Sequence, residues 1–338
     1  MKRLSTLIIA YAFVMTLASC TKIVTGERVA DRLEWLSAVP DDTPVASITI
    51  PGAHDAATYT ISTHVVDIFA RTQAMTIADQ LSYGVRAFDL RPALVDNKLE
   101  IYHDKYDTHI SFADAIDTIL DFLDSNPSEF AIVLIRHETE ADGNDAGWSE
   151  AIYNFLSALP EEKVVREFDP EMTLNQVRGR ILFLSRNEYR NGPIGAYITG
   201  WYSGEDIQRQ KSAKINDGVL WVQDFYDPAG EDDKLDAIKN MLDDFSAETT
   251  PGIWCINHTS GYTAGIFNAP NYGENAQNVN GRTADLIEGL SGSAGIVLMD
   301  FAGSSRYRSY SVYGDRLLDA LINHNNPTTR TCRAALHE

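Results

Sequence analysis

The chain has 338 residues, with 48 Asp and Glu against 28 Lys and Arg, and a formal net charge of −20. That length suits one large α/β barrel. That charge excludes a general binder of nucleic acid or anionic surfaces, so an anionic substrate has to be caught by a local basic pocket.

In chain order, the first segment reads as an export signal. Lys2 and Arg3 open it, and residues 7–17 form an apolar core too short to span a bilayer comfortably. Leu17-Ala18-Ser19-Cys20 resembles the lipobox of bacterial lipoproteins, in which the cysteine is acylated and becomes the new N-terminus. The expected division is a signal peptide over 1–19, a lipid-anchored tether over 20–28 and a catalytic barrel over 29–338. Cleavage makes the chain two units more negative. The expected destination is a bacterial envelope, by lipid anchor at Cys20, or secretion. No later stretch is apolar enough to be a span. Cys255 and Cys332 could pair in an exported protein, but Cys255 sits in an apolar run that equally suits a buried thiol. There is no CxxC and no metal-type Cys/His spacing.

Eight apolar runs follow, at 46–50, 85–90, 99–102, 130–135, 181–184, 219–222, 252–256 and 295–299. They are continuous rather than alternating, as in parallel strands buried on both faces. Residues 112–123 place Phe112, Ala115, Ile116, Ile119, Leu120 and Leu123 on one helical face, with Ser111 as N-cap. Residues 149–159 and 234–245 read similarly. The connection 92–98 is too short for a helix, so the spacing predicts a hairpin or a barrel lacking one helix. The fold class is therefore α/β, a single irregular (β/α)8 TIM-type barrel. An open doubly wound sheet is disfavoured because no glycine-rich phosphate loop is present.

Nearly every run ends in residues that can do chemistry, and the C-terminal face of such a barrel is where loops converge. Pro51-Gly52-Ala53-His54-Asp55 ends the first run, Asp89-Leu90-Arg91 the second and Tyr102-His103-Asp104 the third. In-line cleavage of a phosphodiester needs such a set. One histidine takes a proton from the attacking oxygen, the other gives one to the leaving oxygen, and an arginine holds the phosphate charge. Asp300 ends the last run, beside the first in a closed barrel, where it can fix the His54 tautomer. Arg136, Arg186, Asp224 and Tyr226 close later strands and would suit a polyhydroxylated ring. Trp148, Trp201 and Tyr202 suit either the core or an aromatic edge dipping into lipid. His64, His109, His137, His258 and His324 read as solvated or structural, with His137 and His258 nearest to strand ends.

With these residues assembled, the chain resembles the bacterial phosphatidylinositol-specific phospholipases C. The likeness rests on 47–55, on Asp79-Gln80-Leu81 with 84–91, on 99–103 and on Asn126-Pro127-Ser128-Glu129. Weaker matches follow at 179–186 and 222–226. The resemblance implies an irregular barrel with His54 as general base paired with Asp300, and His103 as general acid paired with Asp55. Arg91 would stabilise the phosphate with Asp89 close by, and Arg136, Arg186, Asp224 and Tyr226 would hold inositol. It implies cleavage of phosphatidylinositol in membranes to diacylglycerol and inositol 1,2-cyclic phosphate. Arg91 stands where eukaryotic relatives bind calcium, so no metal and no other cofactor is expected. Arg136 departs from the lysine usual in the bacterial enzymes. A monomer is the default. The competing readings are a metal-dependent glycerophosphodiester phosphodiesterase and a non-catalytic lipoprotein that binds inositol lipid or glycan.

Overall fold

The computed structural model describes residues 31–61, 70–204, 209–227, 230–264 and 270–326. The signal, the tether with Cys20, His64 and Cys332 lie outside the described residues. The strands are β1 Ile50–Ala53, β2 Ala87–Leu90, β3 Pro92–Val95, β4 Lys98–His103, β5 Tyr106–Ser111, β6 Ala131–Ile135 and β7 Ile181–Ser185. They continue with β8 Ala196–Thr199, β9 Gln210–Ile215, β10 Gly218–Gln223, β11 Ile253–His258, β12 Thr263–Ala264, β13 Pro270–Asn271 and β14 Ile296–Met299. The longer helices are α1 Ile77–Tyr83, α2 Phe112–Ser125, α3 Asp145–Ala158, α4 Glu231–Ser246, α5 Tyr272–Gly289 and α6 Gly314–His324.

Nine strands close a barrel in the order β1-β14-β11-β10-β9-β8-β7-β6-β2. Every residue of β1, β2, β6, β7 and β14 is buried, as expected of parallel strands covered on both faces. Eight barrel strands run parallel, and β9 is antiparallel to both of its neighbours. Gly52 admits β14 against β1, because a Cβ there would fall 2.5 Å from Leu298 Cδ2.

The eight expected runs are not the eight parallel strands. Residues 99–102 belong to β4, in a separate antiparallel sheet β3-β4-β5. A parallel neighbour needs a crossover of a dozen or more residues, and the short link after β2 permits only a hairpin. The vacated place is taken by β8, whose four residues between Gly195 and Gly200 are too short a run to register as a strand. β9 reads Gln-Lys-Ser-Ala-Lys-Ile, an alternating pattern suited to its antiparallel setting. At the start of the chain, 45–47 forms a 3-10 turn, so the first strand begins at Ile50.

The helices follow their local signals. Ser111 accepts from Asp114 N at the start of α2, whose buried face is Phe112, Ala115, Ile116, Ile119 and Leu123. Gly84 ends α1 with φ +107°, the left-handed cap that favours glycine. Among the described residues no helix is long and apolar enough to cross a membrane. Cys255 is a buried thiol, pushed up by that burial.

Candidate active site

The site lies at the C-terminal ends of the barrel strands. His54 directly follows β1, and its N–H donates to Met299 O at 3.0 Å. Asp55 has φ +43°, which Asp tolerates better than most residues. Ala56 N then donates to Asp89 O at 2.9 Å, tying this turn to β2. Asp300 follows β14, which pairs with β1, so barrel closure brings residues 246 apart into contact.

His54 Nδ1 lies 2.8 Å from Asp300 Oδ1. The carboxylate accepts there, so Nδ1 carries the proton and Nε2 is the exchanging nitrogen. Nε2 sits 2.9 Å from Arg91 Nη2 and 3.2 Å from Asp55 Oδ2. It accepts from the guanidinium when neutral and forms a close ion pair with Asp55 when protonated. Burial disfavours the charged ring, but Asp55 and Asp300 outweigh it and hold His54 up to about 9.

His103, at the end of β4, donates from Nδ1 to the backbone carbonyl of Ala70 at 2.8 Å. Its Nε2 therefore faces the site, and lies 3.5 Å from the same Asp55 Oδ2. Asp55 was expected to partner His103; in the structure it stands between both reactive nitrogens. Its other oxygen lies 2.6 Å from Arg91 Nε, a close ion pair rather than a directed hydrogen bond. Arg91 also donates to Asp89 Oδ2 at 3.1 Å and lies 3.8 Å from Glu138. Asp89 is buried, and Arg91 beside it nevertheless holds its carboxyl well below the usual range. Burial pushes Glu138 up to about 8 despite Arg91. Atoms of His54, Asp55 and Asp89 come within 4.8 Å of one another, close enough to share a cation. The cation bonded to this group is the Arg91 guanidinium.

The second group faces the same mouth. Arg186 follows β7 and Asp224 follows β10; they approach to 3.8 Å. Trp201 joins them, donating from Nε1 to Asp224 Oδ2 at 2.9 Å, and the Arg186 guanidinium lies 4.0 Å from its ring centre. Asp224 is buried, yet His258, Arg186 and Lys234 hold it down to about 2. Burial lowers Arg186 to about 10, opposed by Asp224 and reinforced by Arg136. Tyr226 is 42 % exposed, its ring 6.4 Å from that of Tyr262. Arg136 follows β6 and is half-buried.

Sequence reasoning placed His258 at a strand end without giving it a role, and it missed Lys234. His258, at the end of β11, sits edge-on to both His54 (5.7 Å) and Trp201 (5.6 Å), and burial lowers it to about 4, so it stays neutral. Its strand-end position was its sequence signal. Lys234 is fully buried and donates to Phe225 O at 2.7 Å and Gln223 Oε1 at 3.2 Å. Trp148 is no part of an aromatic edge: it is 1 % exposed, donates to Pro92 O and stacks on His137 at 4.5 Å. Tyr202, 60 % exposed, is the outward member of that trio.

A barrel bearing two histidines, an arginine and a polar cluster at its mouth has the parts that in-line cleavage of a phosphodiester needs. Residues 48–187 match the profile of "Phosphatidylinositol-specific phospholipase C, X domain". The chain is 27% identical over 285 residues to the 1-phosphatidylinositol phosphodiesterase of Staphylococcus aureus (strain Newman), covering 80% of this chain and 88% of that one. It is 28% identical over 287 residues to the Listeria monocytogenes enzyme of the same name, covering 79% and 80%. A solved S. aureus phosphatidylinositol-specific phospholipase C superposes with a TM-score of 0.70 at 21% identity, over 86% of this chain and 97% of that one. That last likeness bears on the fold.

Proposed function

We propose that this protein cleaves phosphatidylinositol to diacylglycerol and inositol 1,2-cyclic phosphate without a metal ion. The observation that carries the mechanism is the placement of both histidine Nε2 atoms on Asp55 Oδ2, at 3.2 and 3.5 Å, beside Arg91. Neutral His54 takes the proton of the inositol 2-hydroxyl at Nε2, and Asp300 steadies the imidazolium that forms. The 2-oxygen attacks phosphorus and the bond to the glycerol oxygen breaks. Protonated His103 gives its Nε2 proton to that leaving oxygen, so the dyad finishes with its protons exchanged. Arg91 offers fixed positive charge to the phosphoryl oxygens as charge builds. Occupying the carboxylates that would otherwise ligate an ion, it supports the metal-free reading.

Arg136, Arg186, Asp224 and Tyr226 would bind the inositol ring, the charged trio through its hydroxyls and Tyr226 by stacking. The Leu17-Ala18-Ser19-Cys20 motif supports acylation at Cys20, which would keep a monomeric enzyme close to membrane substrate. Loss of labelling by a fatty-acid probe in Cys20→Ser tests that part.

The reaction is tested by phosphorus NMR on phosphatidylinositol micelles, with a soluble form starting at Thr21, first in chelator and then in calcium. A cyclic phosphate signal in chelator, lost in His54→Ala and His103→Ala, is expected. Turnover only with calcium would favour a metal-dependent glycerophosphodiesterase. Binding without turnover under either condition would favour a non-catalytic binding lipoprotein.

A further inference from the structure

The two histidines approach Asp55 from different elements, β1 and the β3-β4-β5 sheet, and something has to hold them in register. The residues before α1 do this. Ala70 O receives the His103 Nδ1 proton at 2.8 Å. Thr72 O accepts from Phe301 N at 2.7 Å, next to Asp300. Gln73 is fully buried, and its side-chain amide makes three hydrogen bonds. Nε2 donates to His54 O at 2.7 Å and to Met299 O at 2.9 Å, while Oε1 accepts from Ala302 N at 3.0 Å. One amide thus joins the backbone of His54 to both sides of Asp300. The backbone N–H groups of Thr72 and Gln73 are in turn held by Thr58 Oγ1 at 3.0 and 3.1 Å.

We infer that Gln73 is a positioning residue for the His54–Asp300 pair, and that residues 70–73 form the frame holding both histidines around Asp55. It rests on the proposed phosphodiester chemistry, and assigns that site a part from a segment with no reactive side chain. The chemistry of the position explains the residue. Two carbonyls and one N–H meet there, so the site needs two donors and one acceptor at the end of a three-carbon reach, which is a glutamine. A leucine would leave the buried Ala302 N–H unpaired and take one donor each from His54 O and Met299 O, which keep only Thr72 Oγ1 and His54 N. A glutamate would face two carbonyls and could donate to one of them only while protonated.

The test uses the folded enzyme with Gln73→Leu and Gln73→Glu, measuring kcat and KM on phosphatidylinositol across pH and titrating the His54 ring by NMR. The groups around that ring are Asp55, Asp89, Asp300, Arg91 and His258, and all are unchanged in these variants. In Gln73→Leu, kcat is expected to fall about 30-fold or more with KM within about threefold, because misplacing a reacting group by an ångström is costly. The His54 midpoint should move down toward 6.5 as its Nδ1–H bond to Asp300 loosens. In Gln73→Glu, kcat should be nearest to wild type at low pH and fall as the introduced carboxyl ionises. An unchanged His54 midpoint with unchanged kcat in folded Gln73→Leu, or a wild-type pH profile in Gln73→Glu, overturns the inference. If neither variant folds, hydrogen exchange in the wild type decides: slow exchange of both Gln73 Nε2 protons supports it and fast exchange overturns it. A wild type without turnover would instead sink the proposed function, and the His54 titration would still decide the role of Gln73.

Discussion

Replacing Asp300 by Asn separates the charge of the dyad from its shape. Asp300 is 1 % exposed and accepts the His54 Nδ1 proton at 2.8 Å, while its other oxygen lies 3.4 Å from Gly261 N. Burial works against a charged His54, and Asp55 and Asp300 together still raise the ring from 6.5 to about 9. That rise corresponds to roughly 3 kcal/mol favouring the imidazolium. Asp300→Asn removes one of the two carboxylates, whose combined support also offsets burial and Arg91, so at least about half of this, roughly 1.5 kcal/mol or more, should go. The His54 midpoint then falls by at least about one pH unit. The imidazolium formed during proton abstraction loses the same support, so the limiting rate drops at least about tenfold. An Asn that accepts from Nδ1 must turn its NH2 toward Gly261 N, donor against donor, and any ring flip to escape this adds to the loss.

The assay is kcat/KM for phosphatidylinositol from pH 5 to pH 10. The base must be neutral, so the ascending limb set by His54 should centre near pH 9 in the wild type and lie at lower pH, with a lower maximum, in the variant. Stability carries the same sign. A raised histidine stabilises the fold fully below 6.5, and that contribution is lost as pH rises to about 9. Unfolding free energy should therefore change less across that window in Asp300→Asn. A variant whose midpoint stays put or rises, or whose plateau equals the wild type, would refute the reasoning.

Arg91→Lys should cost about 10²- to 10³-fold in kcat with chelator present, because one ammonium cannot span Asp55, Asp89 and His54 as the guanidinium fork does; a loss under tenfold would show that the fork is dispensable. Asp224→Asn should raise KM about tenfold or more while kcat changes less, since it disturbs the Arg186 and Trp201 contacts remote from phosphorus. Equal falls in kcat and kcat/KM would place Asp224 in the chemistry instead. Lys234→Met tests a buried charge of opposite linkage. Burial lowers Lys234 to about 7, against Asp224 and Asp300, so between about 7 and 10.5 the unfolded chain binds a proton that the native chain does not. Wild-type stability gains from this group as pH rises through that window. Urea unfolding at pH 7 and pH 9.5 should show the variant lacking the gain, and identical pH dependence in both proteins would contradict it.

The continuous apolar runs were enough to place most barrel strands, because a strand buried on both faces leaves an unbroken run. They also located His54, Arg91, Arg186, Asp224 and Asp300, since a reactive side chain that ends such a run emerges at the barrel mouth. The run at 99–102 was counted among the parallel strands for the same reason, although the short link after β2 had already offered the hairpin that the structure has. β8 and β9 were passed over because one is four residues long and the other alternates.

What the amino-acid order determined alone was therefore the barrel class and the inventory of groups at its mouth. The tertiary structure decided how they meet. It set both Nε2 atoms against one Asp55 oxygen, joined Trp201 to Asp224, brought His258 between His54 and Trp201, and buried Lys234 beneath Phe225. It also gave the 70–73 segment its hold on the histidines through a backbone carbonyl and one amide. The physical reason is that these contacts join residues far apart in the chain, often through backbone atoms that every residue shares. No periodicity or residue type marks such a partner until closure of the barrel brings the strand ends together.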